Sequence, residues 1–155
     1  MTNPYRKIRY AVAAIIRAHG KYLLAQRMKI LTKDGSLVPT VPEWDLVKGG
    51  IESGESPRDA MFREIFEEIG SKSHSIIKQF NETIDFDFPE HLREKNGFDS
   101  QQTTIFLVEF LGRVSDLHPA DSEIGGYALV TKEELLQRIV LPETHAFIEK
   151  HLEEI

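Results

Sequence analysis

The feature that most constrains this chain is the segment from Ser56 to Gly70, which has the pattern of an amphipathic helix. Ser56 suits the N-cap, Pro57 suits the first turn, and Gly70 is a natural C-terminal stop. At about 100° per residue, its bulky apolar residues fall on one face and its acidic residues on the other. The apolar face is formed by Met61, Phe62, Ile65, Phe66 and Ile69, and the acidic face by Glu64, Glu67 and Glu68. One helix therefore gathers three carboxylates within two turns.

The acidic face of this helix carries an electrostatic cost. Like charges on adjacent turns repel by a few tenths of a kcal/mol per pair, and the helix dipole disfavours anions in the last turn, where Glu67 and Glu68 lie. A hard divalent cation such as Mg²⁺ or Mn²⁺ would offset this cost, since both ions prefer carboxylate oxygens. A solvated acidic surface is the alternative, and the spacing of the glutamates does not by itself decide between the two.

The residues before the helix add a second signal. Gly49, Gly50 and Gly54 lie in loops whose backbone can approach a ligand closely, because glycine has no Cβ. Together the segment resembles the Nudix box of the Nudix hydrolases, with all of the fixed residues of that motif in place: Gly49, Glu55, Arg63, Glu64, Ile65, Glu67, Glu68 and Gly70. The one departure is Ser71, where the family carries a bulky aliphatic residue, and it affects local packing rather than chemistry.

The resemblance implies both a fold and a reaction. Nudix hydrolases have an α/β/α sandwich with a mixed central sheet, and they cleave a diphosphate linkage in a nucleoside diphosphate derivative with Mg²⁺ or Mn²⁺. Carried over by motif position, the direct metal ligands would be Glu64, Glu67, Glu68 and the carbonyl of Gly49, with Glu55 close by. Arg63 would orient the glutamates through charge-assisted hydrogen bonds.

Catalysis also requires a general base that takes a proton from the attacking water. Family members use either a glutamate of the box, here Glu64 or Glu67, or a glutamate on a loop beyond it. Glu123 is the candidate on such a loop, just before the apolar segment 127–130, and Asp121 is its rival. An exposed loop acid without a function is the alternative interpretation of Glu123.

Residues outside the box would select the substrate. The segment Phe86-Asp87-Phe88-Pro89 resembles the Tyr-Asp-Phe-Pro segment of asymmetric dinucleoside tetraphosphate hydrolases, whose relatives remove pyrophosphate from RNA 5′ ends. Residues 100–103 are similar in part to the Gly-Gln-x-Gln stretch of the same enzymes. We therefore expect Phe86 and Gln101 to contact the substrate, with a place in the sheet core as the alternative for Phe86.

Basic residues are the other candidates for substrate binding. Arg27 ends an apolar strand at a position where many Nudix hydrolases hold a basic residue near the phosphates, and Lys48 precedes Gly49. Lys48 would contact a phosphate or remain solvated. A small basic cluster near the N-terminus, formed by Arg6, Lys7 and Arg9, is interpreted as solvated surface.

These features favour hydrolysis of a dinucleoside polyphosphate or of an RNA 5′-triphosphate end. A (d)NTP pyrophosphohydrolase is the main alternative, followed by an ADP-ribose or nucleotide-sugar hydrolase. A non-catalytic Nudix module that senses a nucleotide is a further alternative, but such modules usually lose box glutamates, and all of them are present here.

The composition excludes several other classes. The 155 residues make one domain, 1–155, and a net charge of −6 argues against DNA as a partner, because binding to a nucleic-acid backbone needs clustered cations. The absence of cysteine is typical of a reducing compartment. The longest early apolar run, Ala11–Ile16, is too short for a signal peptide or a membrane span. We therefore expect a cytoplasmic protein with no membrane partner.

The remaining pattern predicts an α+β fold with a mixed sheet, since strands and helices follow one another without regular alternation. A hairpin is predicted for Ile8–Ala18 and Tyr22–Gln26, a loop for Lys29–Glu43 and a short strand for Trp44–Val47. Further strands are predicted for Ile76–Phe88, Thr103–Phe110 and Tyr127–Val130, and helices begin at a capping box of Thr131 with Glu134 and at Pro142.

Overall fold

The computed structural model describes residues 5–31, 37–120 and 123–155, in which a mixed sheet lies between helices. The strands are β1 Ile8–Ala18, β2 Lys21–Leu31, β3 Leu37–Asp45, β4 Val47–Gly50, β5 His74–Asp87, β6 Ser100–Phe110 and β7 Ile124–Val130. The helices are α1 Pro57–Ile69, α2 Glu90–Asn96, α3 Lys132–Arg138 and α4 Pro142–Lys150.

Strand β1 lies inside the sheet, because its residues 11–16 are apolar and can be buried on both faces. It pairs in parallel with β6 from Ile8 opposite Ser100 to Ala18 opposite Phe110, and it pairs antiparallel with β2 and with β4. Strand β2 continues the sheet to β3 and β7, and β6 continues it to β5.

Each face of this sheet is covered by helices. On one face Val12, Ala14 and Ile16 of β1 belong to a buried cluster that includes Met61, Ile65 and Ile69 of α1. On the other face Ala13 and Ile15 belong to a second buried cluster, which includes Leu135 of α3 and Phe147 and Ile148 of α4. Alternate residues of one strand thus enter separate cores, as the pleat requires. This arrangement confirms the predicted mixed sheet and α/β/α sandwich.

The prediction of a loop over Lys29–Glu43 is wrong, and this is the main correction to the predicted elements. Strand β2 runs to Leu31 and β3 begins at Leu37, while residues 32–36 lie outside the described part of the chain. Pro39 and Pro42 favoured a loop in the sequence, yet both lie in β3. A strand tolerates proline at a sheet edge, and within the described residues β3 pairs only with β2.

Smaller differences concern where elements begin. The predicted strand Trp44–Val47 is divided, because β3 ends at Asp45 and β4 begins at Val47. Strand β6 begins at Ser100 and β7 at Ile124, earlier than predicted, and helix α2 was not predicted. The hairpin of β1 and β2, helix α1, and the capping box of α3 are confirmed. Among the described residues, no helix is long and apolar enough to span a bilayer.

Candidate active site

Both ends of helix α1 are stabilised by the capping residues that the sequence predicts. The Ser56 hydroxyl accepts a hydrogen bond from the Asp59 N–H at 3.1 Å, and the Gly70 N–H donates to the Phe66 carbonyl at 2.8 Å. Gly70 has a φ of 68°, a left-handed conformation that favours glycine. Met61, Ile65 and Ile69 pack on the sheet, whereas Phe62 and Phe66, which the sequence predicts on the same apolar face, are exposed. The helix directs its glutamates towards β4 and the loops at its ends.

The backbone of β4 is shaped to receive one of those glutamates. A Cβ built on Gly49 would lie 2.0 Å from the carboxyl carbon of Glu64, so the carboxylate fills the space that a side chain at position 49 would need. At Gly50 the nearest atom to such a Cβ would be Nη2 of Arg9, at 3.0 Å. Glycine is required at position 49 because Glu64 lies directly against the strand.

Arg63 joins the acidic residues at one side of the helix. Its Nε and Nη2 donate to the two carboxylate oxygens of Glu55 at 2.8 and 2.9 Å, and its Nη1 donates to Glu64 at 2.7 Å. Nη2 also donates to the Gly50 carbonyl at 2.8 Å, and Nη1 lies 3.4 Å from Glu67. The hydrogen bonds from Arg63 lower the pKa of Glu55 to about 2. The arginine therefore links the end of strand β4 to the helix and keeps Glu55 ionised.

Arg27 makes the equivalent connection on the other side of the helix. Its Nη2 lies 2.9 Å from both carboxylate oxygens of Glu68, and its Nη1 donates to Glu123 at 2.8 Å. The Lys48 N–H donates to the same Glu68 carboxylate at 3.2 Å. Only 2% of the Glu68 side chain is exposed. Burial raises the pKa of Glu68, and the charge and hydrogen bonds of Arg27 oppose that shift.

Glu123 reaches this cluster because backbone hydrogen bonds fix the chain on either side of it. The N–H groups of His118 and Ala120 donate to the carbonyls of Ile69 and Glu67 at 3.1 and 2.7 Å, which attaches the preceding segment to the C-terminal end of α1. The Met28 N–H donates to the Glu123 carbonyl at 2.7 Å. Asp121, the predicted rival of Glu123, lies outside the described residues.

The carboxylates are close enough to affect one another. Burial raises the pKa of Glu64 to about 7, and the charges of Glu67 and Glu123 act in the same direction, against Arg63. Carboxylate oxygens in this number are the donors that Mg²⁺ and Mn²⁺ prefer, so the chemistry of the set fits a divalent cation. Within residues 5–31, 37–120 and 123–155, however, no three Asp, Glu or His side chains are arranged to hold a metal ion. In this structure arginines hold the carboxylates instead.

The predicted substrate residues divide between two places. Lys48 forms an ion pair with the buried Asp45, with Nζ 2.6 Å from the carboxylate. Phe86 and Gln101 line a cleft of about 500 Å³ at the paired ends of β5 and β6, together with Arg6. Phe86 also packs against the second buried cluster, as the core alternative predicts, and its ring contacts that of Phe88 edge to face, with centroids 5.2 Å apart. The structure thus brings Phe86 and Gln101 together and separates Lys48 from them.

Arg9 is the residue that the sequence interpretation missed. It was assigned to solvated surface, but it is half-buried and donates to the Gln101 side chain at 2.7 Å. Burial lowers the pKa of Arg9, while the charge of Glu64 opposes that shift. The Arg9 guanidinium contacts Gln101 of the cleft and lies next to Gly50 of β4. The only sequence signal for a buried role of Arg9 is its position at the start of an apolar strand. Its hydrogen-bond partner, Gln101, is 92 positions away.

Comparison with known proteins gives matches along nearly the whole chain. The family model described as the NUDIX domain matches residues 6–153. The RNA pyrophosphohydrolase of Helicobacter pylori strain P12 is 32% identical over 143 residues, which cover 88% of this chain and 86% of that protein. A MutT protein from Methanosarcina mazei Go1 superposes with a TM-score of 0.73 at 21% identity, over 98% of each chain. A C. elegans Ap4A hydrolase superposes with a TM-score of 0.69 at 16% identity, over 94% of this chain and 96% of that one. These two structures share the fold.

Proposed function

The chain belongs to the Nudix family of pyrophosphohydrolases, and from that premise we propose that it removes pyrophosphate from the 5′-triphosphate end of RNA. The observation that carries this proposal is the convergence of Glu64, Glu67 and Glu68 of α1 with Glu123 from a separate loop. The name of the H. pylori relative supports RNA as the substrate class. This substrate class favours a cytoplasmic location.

The metal would be Mg²⁺ or Mn²⁺, held by Glu64, Glu67 and Glu68 and by the Gly49 carbonyl, with Glu55 close by. When bound, it would neutralise phosphate charge and lower the pKa of the attacking water. Arg63 serves this arrangement by holding Glu55 and Glu64 at fixed positions relative to the Gly50 backbone. A substrate with three or four negative charges could not otherwise approach so acidic a helix.

Two carboxylates are suited to accept the proton from water. The side chain of Glu67 is 39% exposed and that of Glu123 is 21% exposed, whereas Glu64 and Glu68 are buried. We assign the general base to the pair of Glu67 and Glu123, and pH–rate profiles of E67Q and E123Q distinguish its members, because the base variant loses the acidic limb of the profile.

The cleft next to the cluster supports binding of a nucleoside. Phe86 offers a ring on which a base can stack, which contributes about 1–3 kcal/mol per base in proteins that bind single strands. Gln101 is held by Arg9 and donates its own N–H to Thr103 at 3.0 Å, so its position is fixed from both sides. The cleft and the carboxylates are connected through Arg9, whose guanidinium lies against Gly50.

A dinucleoside tetraphosphate is the second candidate substrate. It is favoured by Phe86-Asp87-Phe88-Pro89, which resembles the segment of the asymmetric hydrolases and places Phe86 in the cleft. Such a molecule also contains a phosphoric anhydride linkage and a nucleoside base.

The experiment is product analysis after incubation with Mg²⁺ and a panel of substrates: triphosphorylated RNA, diadenosine tetraphosphate, (d)NTPs and ADP-ribose. Monophosphorylated RNA with pyrophosphate supports the proposal, whereas ATP with AMP from the tetraphosphate supports the second candidate. Nucleoside monophosphate from (d)NTPs alone would assign the protein to a different substrate class. Binding of nucleotide without turnover of any substrate would overturn the enzymatic function.

A further inference from the structure

Arg27 occupies the oxygens that a metal ion would need. Its Nη2 is shared between both oxygens of Glu68, and its Nη1 is bonded to Glu123. Glu68 also accepts from the Lys48 N–H, so the described contacts use both of its oxygens. Only 12% of the Arg27 side chain is exposed. The guanidinium is therefore packed inside the cluster.

A divalent cation would compete with Arg27 for Glu68, because Arg27 is bonded to both oxygens of that carboxylate, whereas among the described contacts Arg63 uses only Oε1 of Glu64. The Arg27 guanidinium and a metal ion are both positive, and two positive charges a few ångströms apart repel strongly where water is excluded. The absence of a metal-ready group of carboxylates among the described residues agrees with this, because both oxygens of Glu68 are bonded to Arg27.

The two arginines of the site differ in how completely they are bonded. Each nitrogen of the Arg63 guanidinium has an acceptor: Nε on Glu55, Nη1 on Glu64, and Nη2 on Glu55 and Gly50. The Nε of Arg27 is buried and has no hydrogen-bond partner among the described residues. A buried donor without a partner is unfavourable, so Arg27 gives up fewer satisfied hydrogen bonds than Arg63 by moving.

We infer that Arg27 is an internal competitor of the metal ion. In the metal-free protein it neutralises Glu68 and Glu123, and it leaves them when a divalent cation binds, while Arg63 keeps its contacts. The displaced guanidinium is then available to the phosphates of the substrate. Arg27 is thus a positioning residue that sets the metal affinity of the site, an inference that rests on the proposed metal-dependent function.

The test is a Mn²⁺ titration of the full chain, with free Mn²⁺ measured by electron paramagnetic resonance. Removing the competitor in Arg27→Met is expected to tighten Mn²⁺ binding about ten-fold. Arg17→Met is the matched control, since Arg17 also pairs with one carboxylate, Glu109 at 3.4 Å, and also has a buried Nε without a described partner. The control is expected to bind Mn²⁺ as the wild type does. Equal or weaker binding by folded Arg27→Met, or no binding by either protein, would overturn the inference.

A second measurement uses the wild type and therefore does not depend on whether Arg27→Met folds. In a ¹⁵N NMR titration with Mg²⁺, the side-chain signal of Arg27 is expected to shift to an exchanging, solvated position while that of Arg63 retains its hydrogen-bonded position. An Arg27 signal unchanged at saturating Mg²⁺ would overturn the inference. The proposed function is tested separately by turnover. If the protein gives these binding and NMR results but cleaves no substrate, the competition between Arg27 and the metal ion is supported and the enzymatic function is not.

Discussion

The carboxylate of Glu64 occupies the space next to Gly49 that a side chain at position 49 would fill, since a Cβ there would lie 2.0 Å from its carboxyl carbon. This contact joins strand β4 to helix α1 at the centre of the acidic cluster. It also explains why a glycine in a strand is useful here: the strand gives up side-chain packing and gains room for the Glu64 carboxylate.

The first prediction compares Gly49→Ala with Gly50→Ala. Alanine at position 49 must displace the end of a flexible glutamate, so the expected result is a loss of kcat/KM of about 100-fold with little loss of stability. Alanine at position 50 meets Arg9 Nη2 at 3.0 Å and is expected to cost less activity. Steady-state kinetics of both variants measure kcat/KM, and urea denaturation measures their stability. Equal activity of the two variants would contradict the role given to Glu64.

The second prediction concerns Glu67→Gln. It removes one charge from the carboxylate set while keeping the shape of the side chain, and it should reduce kcat about 100-fold or more. Helix α1 should remain folded, because Glu67 contributes only a 3.4 Å contact to Arg63. Glu52→Gln is the control: its carboxylate lies 3.8 Å from the same arginine but is 68% exposed, and its loss should leave activity unchanged. Near-normal turnover by a folded Glu67→Gln protein would refute the metal-ligand role.

The third prediction is a pH dependence of stability that arises from Glu55. The hydrogen bonds from Arg63 lower its pKa from 4.5 to about 2 in the folded protein. A depressed carboxyl pKa stabilises the folded state fully above the unfolded pKa, and this contribution is lost as the pH falls towards the folded value. The free energy of unfolding of wild type minus that of Glu55→Gln should therefore be largest above about pH 5 and decrease at lower pH. Urea denaturation in EDTA across this range measures it, and a difference that does not change with pH would exclude the mechanism.

The fourth prediction addresses the cleft at the paired ends of β5 and β6. Phe86→Leu keeps an apolar side chain but loses the ring, and it should raise KM for a nucleotide substrate about ten-fold with little change in kcat. Phe62→Leu removes an exposed aromatic ring on α1, where Phe62 contacts His74 rather than the cleft, and serves as the control. If both variants have the KM of the wild type, the base does not stack on Phe86.

The sequence predicts well those parts of the protein that depend on local interactions. Helix α1 follows from the cap at Ser56, the stop at Gly70 and the period of its apolar residues, all within one segment. The same is true of the β1–β2 hairpin around His19 and Gly20, both of which have positive φ. The set of glutamates was predicted because a single helix and its preceding loop carry nearly all of it.

The parts that sequence reasoning missed depend on long-range pairing. The family resemblance predicts Arg27 near the phosphates, but its ion pairs with Glu68, 41 positions away, and with Glu123, 96 positions away, follow from no local pattern. Arg9 was placed on the surface for the same reason, because its environment is made by Gln101 of a parallel strand. Strand β3 was missed because its prolines predict a loop, and only its edge position in the sheet makes them tolerable.

The central claim is tested most directly by the 5′-phosphate state of a short triphosphorylated RNA after incubation with Mg²⁺ and the purified protein. Wild type and Glu67→Gln, prepared in parallel, are compared by chromatography. We predict that the wild type releases pyrophosphate and leaves monophosphorylated RNA, while the variant does so about 100-fold more slowly. An RNA that stays triphosphorylated with the wild type, or is processed equally by both proteins, would contradict the account.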